Sequence, residues 1–114
     1  MQKLVYWEIP SQDVAGDAAF FQALFGWRME PSGEAYVSFH VEDGLGGGIA
    51  KSDGPPGHGI SVYTGVDEIP ETLAKAGSLG ARTLHAKTDI GESHGFWADF
   101  QAPGGARIGL YAQT

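Results

Sequence analysis

The feature that most constrains this chain is repeated punctuation. Asp13 precedes the apolar residues Val14, Ala18, Phe21 and Phe25, spaced at i, i+4, i+7 and i+11, with Leu24 widening the stripe and Gly26 closing it. That order predicts a helix with an acidic N-cap, one buried face and a glycine stop. Gly16 costs such a helix about 1 kcal/mol against alanine, so packing has to hold it. The pattern recurs: Asp67 as cap, Ile69, Leu73, Ala76 and Leu79 as stripe, Pro70 in the first turn and Gly80 as stop. Asp13 to Asp67 and Gly26 to Gly80 are both 54 residues, which predicts an internal duplication.

Each helix is flanked by strand-like segments. Lys3–Pro10 is rich in β-branched and aromatic residues and precedes the first helix. Trp27–Glu30, Ala35–Val41 and Leu45–Lys51 follow it, separated by turn-forming stretches. In the second half Gly59–Thr64 precedes the helix, and Arg82–His85, Gly95–Gln101 and Arg107–Ala112 follow. The order βαβββ occurs twice, at about 1–52 and 58–114, joined by the Pro/Gly-rich stretch Ser52–Gly57 within a single domain, 1–114. The fold class is therefore α+β, each unit having one mixed sheet with a single helix on one face. The other face is left for a partner or a ligand, and a cleft between two such sheets is the expected binding site.

Composition narrows the function. Cysteine is absent, which excludes disulfides, thiolate metal sites, iron–sulfur clusters and a cysteine nucleophile. A net charge of -7 disfavours nucleic-acid phosphates and anionic membranes as partners, and favours cationic or neutral small molecules. No apolar run is long enough to span a bilayer, and the first residues lack the pattern of a signal peptide, so a cytoplasmic location is expected. Glycine is abundant, 18 of 114 residues. The run Gly44-Leu45-Gly46-Gly47-Gly48 has no Gly-Lys-Ser/Thr after it and is no phosphate loop; it reads as strand backbone approached closely by a neighbour. Thr88–Gly95 is polar and reads either as a lid or as a solvent loop.

Four stretches in order carry a family resemblance: Trp7–Asp13, Phe20–Trp27, Val66–Ile69 leading to Leu79–Ala81, and the closing Phe100–Leu110 with its Ala102-Pro103-Gly104-Gly105 turn. Together they resemble the vicinal oxygen chelate superfamily, which includes glyoxalase I, bleomycin-resistance proteins and extradiol dioxygenases. The resemblance implies paired βαβββ units across nearly the whole chain. It does not imply one reaction, because such folds host many chemistries.

Enzymes of that superfamily hold a divalent metal with His and Glu side chains. The corresponding positions here are Tyr6, a residue at or near Ser61, Gly109, and the stretch Gly46–Ala50. None supplies a usual ligand, so the resemblance here implies a metal-less, glyoxalase-like member with no cofactor. The histidines His40, His58, His85 and His94 form no His-x-His or Glu-x-x-His pair and read as surface or turn residues.

Strand alternation places Glu8 on the same side as Tyr6, Tyr63 on the side of Ser61, and Arg107 and Tyr111 on one side of the last strand. With the family's register, Tyr6, Glu8, Tyr63, Arg107 and Tyr111 form the expected ligand-binding floor. Glu8 is the candidate catalytic acid/base or ligand contact; a structural ion pair with Arg107 is the competing reading. Trp7, Trp27 and Trp97 read as core or subunit-interface residues. The expected function is binding of a small organic molecule, with sequestration of an antibiotic or other toxic molecule and metal-free catalysis both open. The alternative is a metal-dependent lyase, isomerase or dioxygenase of the same superfamily. A homodimer is expected, because relatives of this length place modules from two chains around shared clefts.

Overall fold

The computed structural model describes residues 2–54 and 59–114; His58 and part of the expected joint, residues 55–57, lie outside the described residues. The chain forms two compact units, one of Tyr6–Ser61 and one of Val62–Thr114 together with Met1–Val5. Each contributes four strands and one helix, so the α+β class with two βαβββ repeats is present.

In the first unit the chain runs β1 (Lys3–Ser11), α1 (Val14–Phe25), β2 (Arg28–Pro31), β3 (Tyr36–His40) and β4 (Gly47–Lys51). The strand order is β2-β3-β4-β1, antiparallel except for the parallel β4–β1 pair. Asp13 caps α1 as expected: its carboxylate accepts from the Gly16 N–H at 3.0 Å. Gly26 ends the helix at φ 74°, a conformation costly for any residue with a Cβ, and its N–H donates to the Gln22 carbonyl at 2.9 Å. Ser11, buried beside the cap, donates to Asp17 at 2.6 Å and accepts from the Asp13 N–H at 3.0 Å.

Alternation sorts the side chains of this sheet. Val37, Phe39 and Ile49 are buried against Val14 and Ala18 of the helix, with Trp7, Ile9, Phe21 and Trp27 packed around them. Trp27 stacks on Phe39 at 4.8 Å between centroids, and Trp7 meets the same ring edge-on at 5.4 Å. Burial on this scale contributes about 1.5–3 kcal/mol for each large side chain. The helical stripe is fully buried only at its start: Leu24 and Phe25 are more than half exposed, as is Phe20 outside the stripe. Trp7 and Trp27, expected in the core or at a subunit interface, are partly buried and pack against the core. Because Trp7 and Ile9 face the helix, Tyr6 and Glu8 project to the opposite face, with Tyr36, Ser38 and His40.

The second unit comprises β5 (Ser61–Gly65), α2 (Ile69–Ser78), β6 (Arg82–Asp89), β7 (Phe96–Gln101) and β8 (Arg107–Ala112), with strand order β5-β8-β7-β6. β5 and β8 are parallel and the other pairs antiparallel. Ile69, Ala98, Leu110 and Ala112 form its core, with Leu73, Phe96 and Phe100 around them. Here one expectation is corrected. The N-cap of α2 is Glu68, not Asp67, and no side chain caps it. Pro70, with no N–H to satisfy, replaces part of the missing cap. The C-terminal half of the pattern holds: the Ala81 N–H closes on the Ala76 carbonyl at 3.0 Å across Gly80, whose φ is 103°.

β6 is an edge strand and is longer than the expected Arg82–His85, so His85 lies inside a strand and not at its end. Its pairing with β7 shifts register on both sides of His85. The segment after it is a hydrogen-bonded turn, with Ile90 N–H donating to the Gly95 carbonyl at 3.0 Å and Gly91 N–H to Asp89 at 2.7 Å. Among the described residues no helix is long and apolar enough to cross a membrane.

Candidate functional site

The residues singled out from the sequence fall into two groups, one in each unit. In the first unit Tyr6 and Glu8 come together with Tyr36, which sequence reasoning missed. The Tyr36 hydroxyl donates to Glu8 Oε2 at 3.1 Å and is hydrogen-bonded to the hydroxyl of Tyr6. Burial, then the bond to Tyr6 and the negative charge of Glu8, push the Tyr36 phenol far above its ordinary value of 10.0. Tyr36 is thus a proton donor at any ordinary pH, and Glu8 accepts its hydrogen bond.

Gly48 makes this arrangement possible. It lies opposite Glu8 on β1 and opposite Ser38 on β3. A Cβ at this position would fall 2.6 Å from the Tyr6 hydroxyl and run into that of Tyr36. The reading of Gly44–Gly48 as closely approached backbone therefore holds at Gly48, with the tyrosine hydroxyls as the approaching groups.

In the second unit Tyr63 and Arg107 come together with Asp99 and His85. Asp99 is only 1% exposed. Its carboxylate accepts from Arg107 Nε at 2.7 Å and is 2.8 Å from His85 Nδ1. Arg107 Nη2 donates to the Tyr63 hydroxyl at 3.4 Å, and its guanidinium carbon lies 5.5 Å from the centre of the Tyr63 ring. Burial disfavours the Arg107 charge, but the bonds and charges of Tyr63 and Asp99 outweigh it and hold the guanidinium above its ordinary value. Arg107 forms an ion pair with Asp99, a residue the sequence did not single out. Alternation along β7 could have flagged it: Phe96, Ala98 and Phe100 face the core, which sets Trp97, Asp99 and Gln101 on the face of Arg107.

Tyr111 is engaged differently. Its hydroxyl donates to the His94 carbonyl at 2.7 Å and lies 2.8 Å from the Gln113 side-chain oxygen, fastening the turn after β6. Tyr111 also borders a groove of about 240 Å³ within this unit, lined by Lys3, Val5, Gly65, Val66 and Asp67 among others. The other two described histidines make exposed pairs, His40 with Glu30 at 3.2 Å and His94 with Glu92 at 3.6 Å. Such pairs contribute little, about 0–1 kcal/mol.

No known family profile and no curated protein matches the sequence. Solved structures do. A glyoxalase/bleomycin resistance protein/dioxygenase superfamily member from Vibrio splendidus superposes with a TM-score of 0.68 at 18% identity, over 98% of this chain and 99% of that one. Methylmalonyl-CoA epimerase from Mycobacterium tuberculosis gives 0.75 at 14% identity, over 96% of this chain and 86% of that one. The chain has the vicinal oxygen chelate fold. A variant of homoprotocatechuate 2,3-dioxygenase from B. fuscum, of which this chain covers 32%, matches 98% of the chain with a TM-score of 0.74.

Proteins with the vicinal oxygen chelate fold include metal enzymes, and one similar structure is a Mn(II)-bound glyoxalase from Novosphingobium aromaticivorans. The residues here do not fit such a metal. At Gly109, as at Gly48, the space of a side chain is filled by a neighbour, here the ring of Tyr63. Tyr6 is engaged by Tyr36, and Ser61 offers a hydroxyl in place of an imidazole. Among the described residues no group of three His, Asp or Glu converges as a metal site.

Proposed function

We propose that this chain binds a small organic molecule on the sheet face opposite its helix, with Glu8 as the charged contact. The observation that carries the reading is the Tyr36–Glu8 hydrogen bond beside Tyr6. The Glu8 carboxyl accepts from a phenol, and the rings of Tyr6 and Tyr36 stand beside it. A carboxylate flanked by aromatic rings suits a cationic or hydrogen-bond-donating flat ligand. The net charge of -7 favours the approach of cations.

Within this reading, sequestration of a toxic organic molecule needs only shape and charge. Metal-free catalysis needs Glu8 within hydrogen-bond reach of a substrate proton. Both are compatible with a fold shared by proteins of several activities.

A thermal-shift screen of cationic and neutral aromatic compounds tests the reading. A ligand at 100 times its Kd adds about 2.7 kcal/mol to stability. Glu8→Gln is expected to weaken a cationic hit about tenfold or more with the melting temperature of the free protein little changed. Loss of stability with binding untouched would make Glu8 structural and overturn the assignment.

A further inference from the structure

The second unit holds a group that the binding reading does not use. Asp99 is a buried carboxylate with two partners, and as a carboxylate it can only accept hydrogen bonds. Arg107 Nε donates to one oxygen at 2.7 Å, and His85 Nδ1 lies 2.8 Å from the other. The His85 side chain is 62% exposed while that of Asp99 is 2% exposed. In the neutral imidazole this places the proton on Nδ1 and leaves the lone pair of Nε2 available. An imidazole whose inner nitrogen is oriented by a buried carboxylate is the arrangement that sets a histidine up to accept a proton.

The backbone adds an independent observation. β6 changes register against β7 both before and after His85, between Thr83 and His85 and again between His85 and Thr88. Irregularities of this kind re-aim side chains, and here the residue between them is the one paired with Asp99. The neighbouring ring is Trp97, 5.2 Å from the imidazole centroid and inclined at 46°. Arg107 in turn holds Asp99 in place from Tyr63, whose hydroxyl accepts from Nη2.

We propose that His85 is a general base, with Asp99 as its positioning residue, acting on flat aromatic molecules that carry an acidic C–H and lie against Trp97. In the step, Nε2 takes the proton and the C–H electron pair stays with the substrate. The imidazolium formed is stabilised by Asp99 and returns its proton to water or to product.

Nitrobenzisoxazole is a suitable probe because its ring opening needs only a base. The proton goes to Nε2, the C–H pair becomes part of a nitrile, the N–O bond breaks and a coloured cyano-nitrophenolate leaves. The expected result is a His85→Gln rate at least about tenfold below that of the unsubstituted protein. His40→Gln and His94→Gln should retain the full rate. Nitrogen NMR of the intact protein should place the His85 proton on Nδ1, a readout independent of the reaction. An undiminished rate in His85→Gln, or a proton on Nε2, would overturn the proposal.

Discussion

The ring of Tyr63 occupies the space that a side chain at position 109 would need. The two residues are cross-strand neighbours on β5 and β8, and a Cβ at Gly109 would fall 2.6 Å from Cε2 of the ring. Gly109→Ala is therefore expected to destabilise the protein by about 1–3 kcal/mol in urea titrations. Tyr63→Ala in the same chain should relieve the crowding, so the two effects should fall short of additivity. Gly109→Glu, which restores a carboxylate on the closing hairpin, should not bring stoichiometric uptake of Mn²⁺ or Ni²⁺ by elemental analysis. Stoichiometric uptake would show that the tyrosine yields and the metal site is latent.

Arg107 and Asp99 should behave as one unit. Arg107→Met leaves a carboxylate that is 1% exposed without its cation, at a cost of about 3 kcal/mol or more. Replacing both, Asp99→Leu with Arg107→Met, should be less damaging than Arg107→Met alone. Chemical denaturation of the three variants checks this, and an Arg107→Met protein as stable as the parent would contradict it.

The raised pKa of Tyr36 has a signed consequence for stability. Below pH 10 the phenol is protonated both folded and unfolded, and its contribution is intact. Above that value the unfolded chain releases the proton and the folded one retains it, so stability falls as pH rises, by at most about 1.4 kcal/mol per pH unit from this residue. Urea unfolding at pH 9 and 11 should show a shallower loss for Tyr36→Phe. Equal slopes in the two proteins would mean that other groups carry the alkaline loss.

Two phenylalanines of the first unit should differ sharply. Phe39 is 1% exposed between Trp7 and Trp27, whereas Phe20 on α1 is 55% exposed. Phe39→Ala should cost about 3–5 kcal/mol. Phe20→Ser should stay within about 0.5 kcal/mol by the same measurement.

Much of the fold was legible because its signals are local. Asp13, Gly26, Gly80 and the alternation of the strands act over a few residues, and they placed both helices and all eight strands to within a few positions. α2 begins one residue later than Asp67 as a cap would place it, with Glu68 at the N-cap and no side chain bonding the first turn, so the Asp67 spacing carried no capping contact. The candidate groups were legible only in part. Glu8 with Tyr6 follows from alternation along one strand, but Tyr36 reaches them across the intervening β4 and Asp99 joins through register with its neighbouring strands. The pairing of His85 with Asp99 depends on two irregularities in β6 that leave no compositional trace.

Those irregularities have a second consequence. β6 is the last strand in its order, and every residue from Arg82 to Asp89 is exposed. A straight, exposed edge is a template on which further chains can assemble into fibrils. The breaks around His85 prevent β6 from presenting an evenly spaced row of donors and acceptors, and Lys87 adds a charge that an incoming strand would have to accommodate. The same local distortion that turns an imidazole toward a buried carboxylate thus keeps the margin of the sheet from recruiting its own kind.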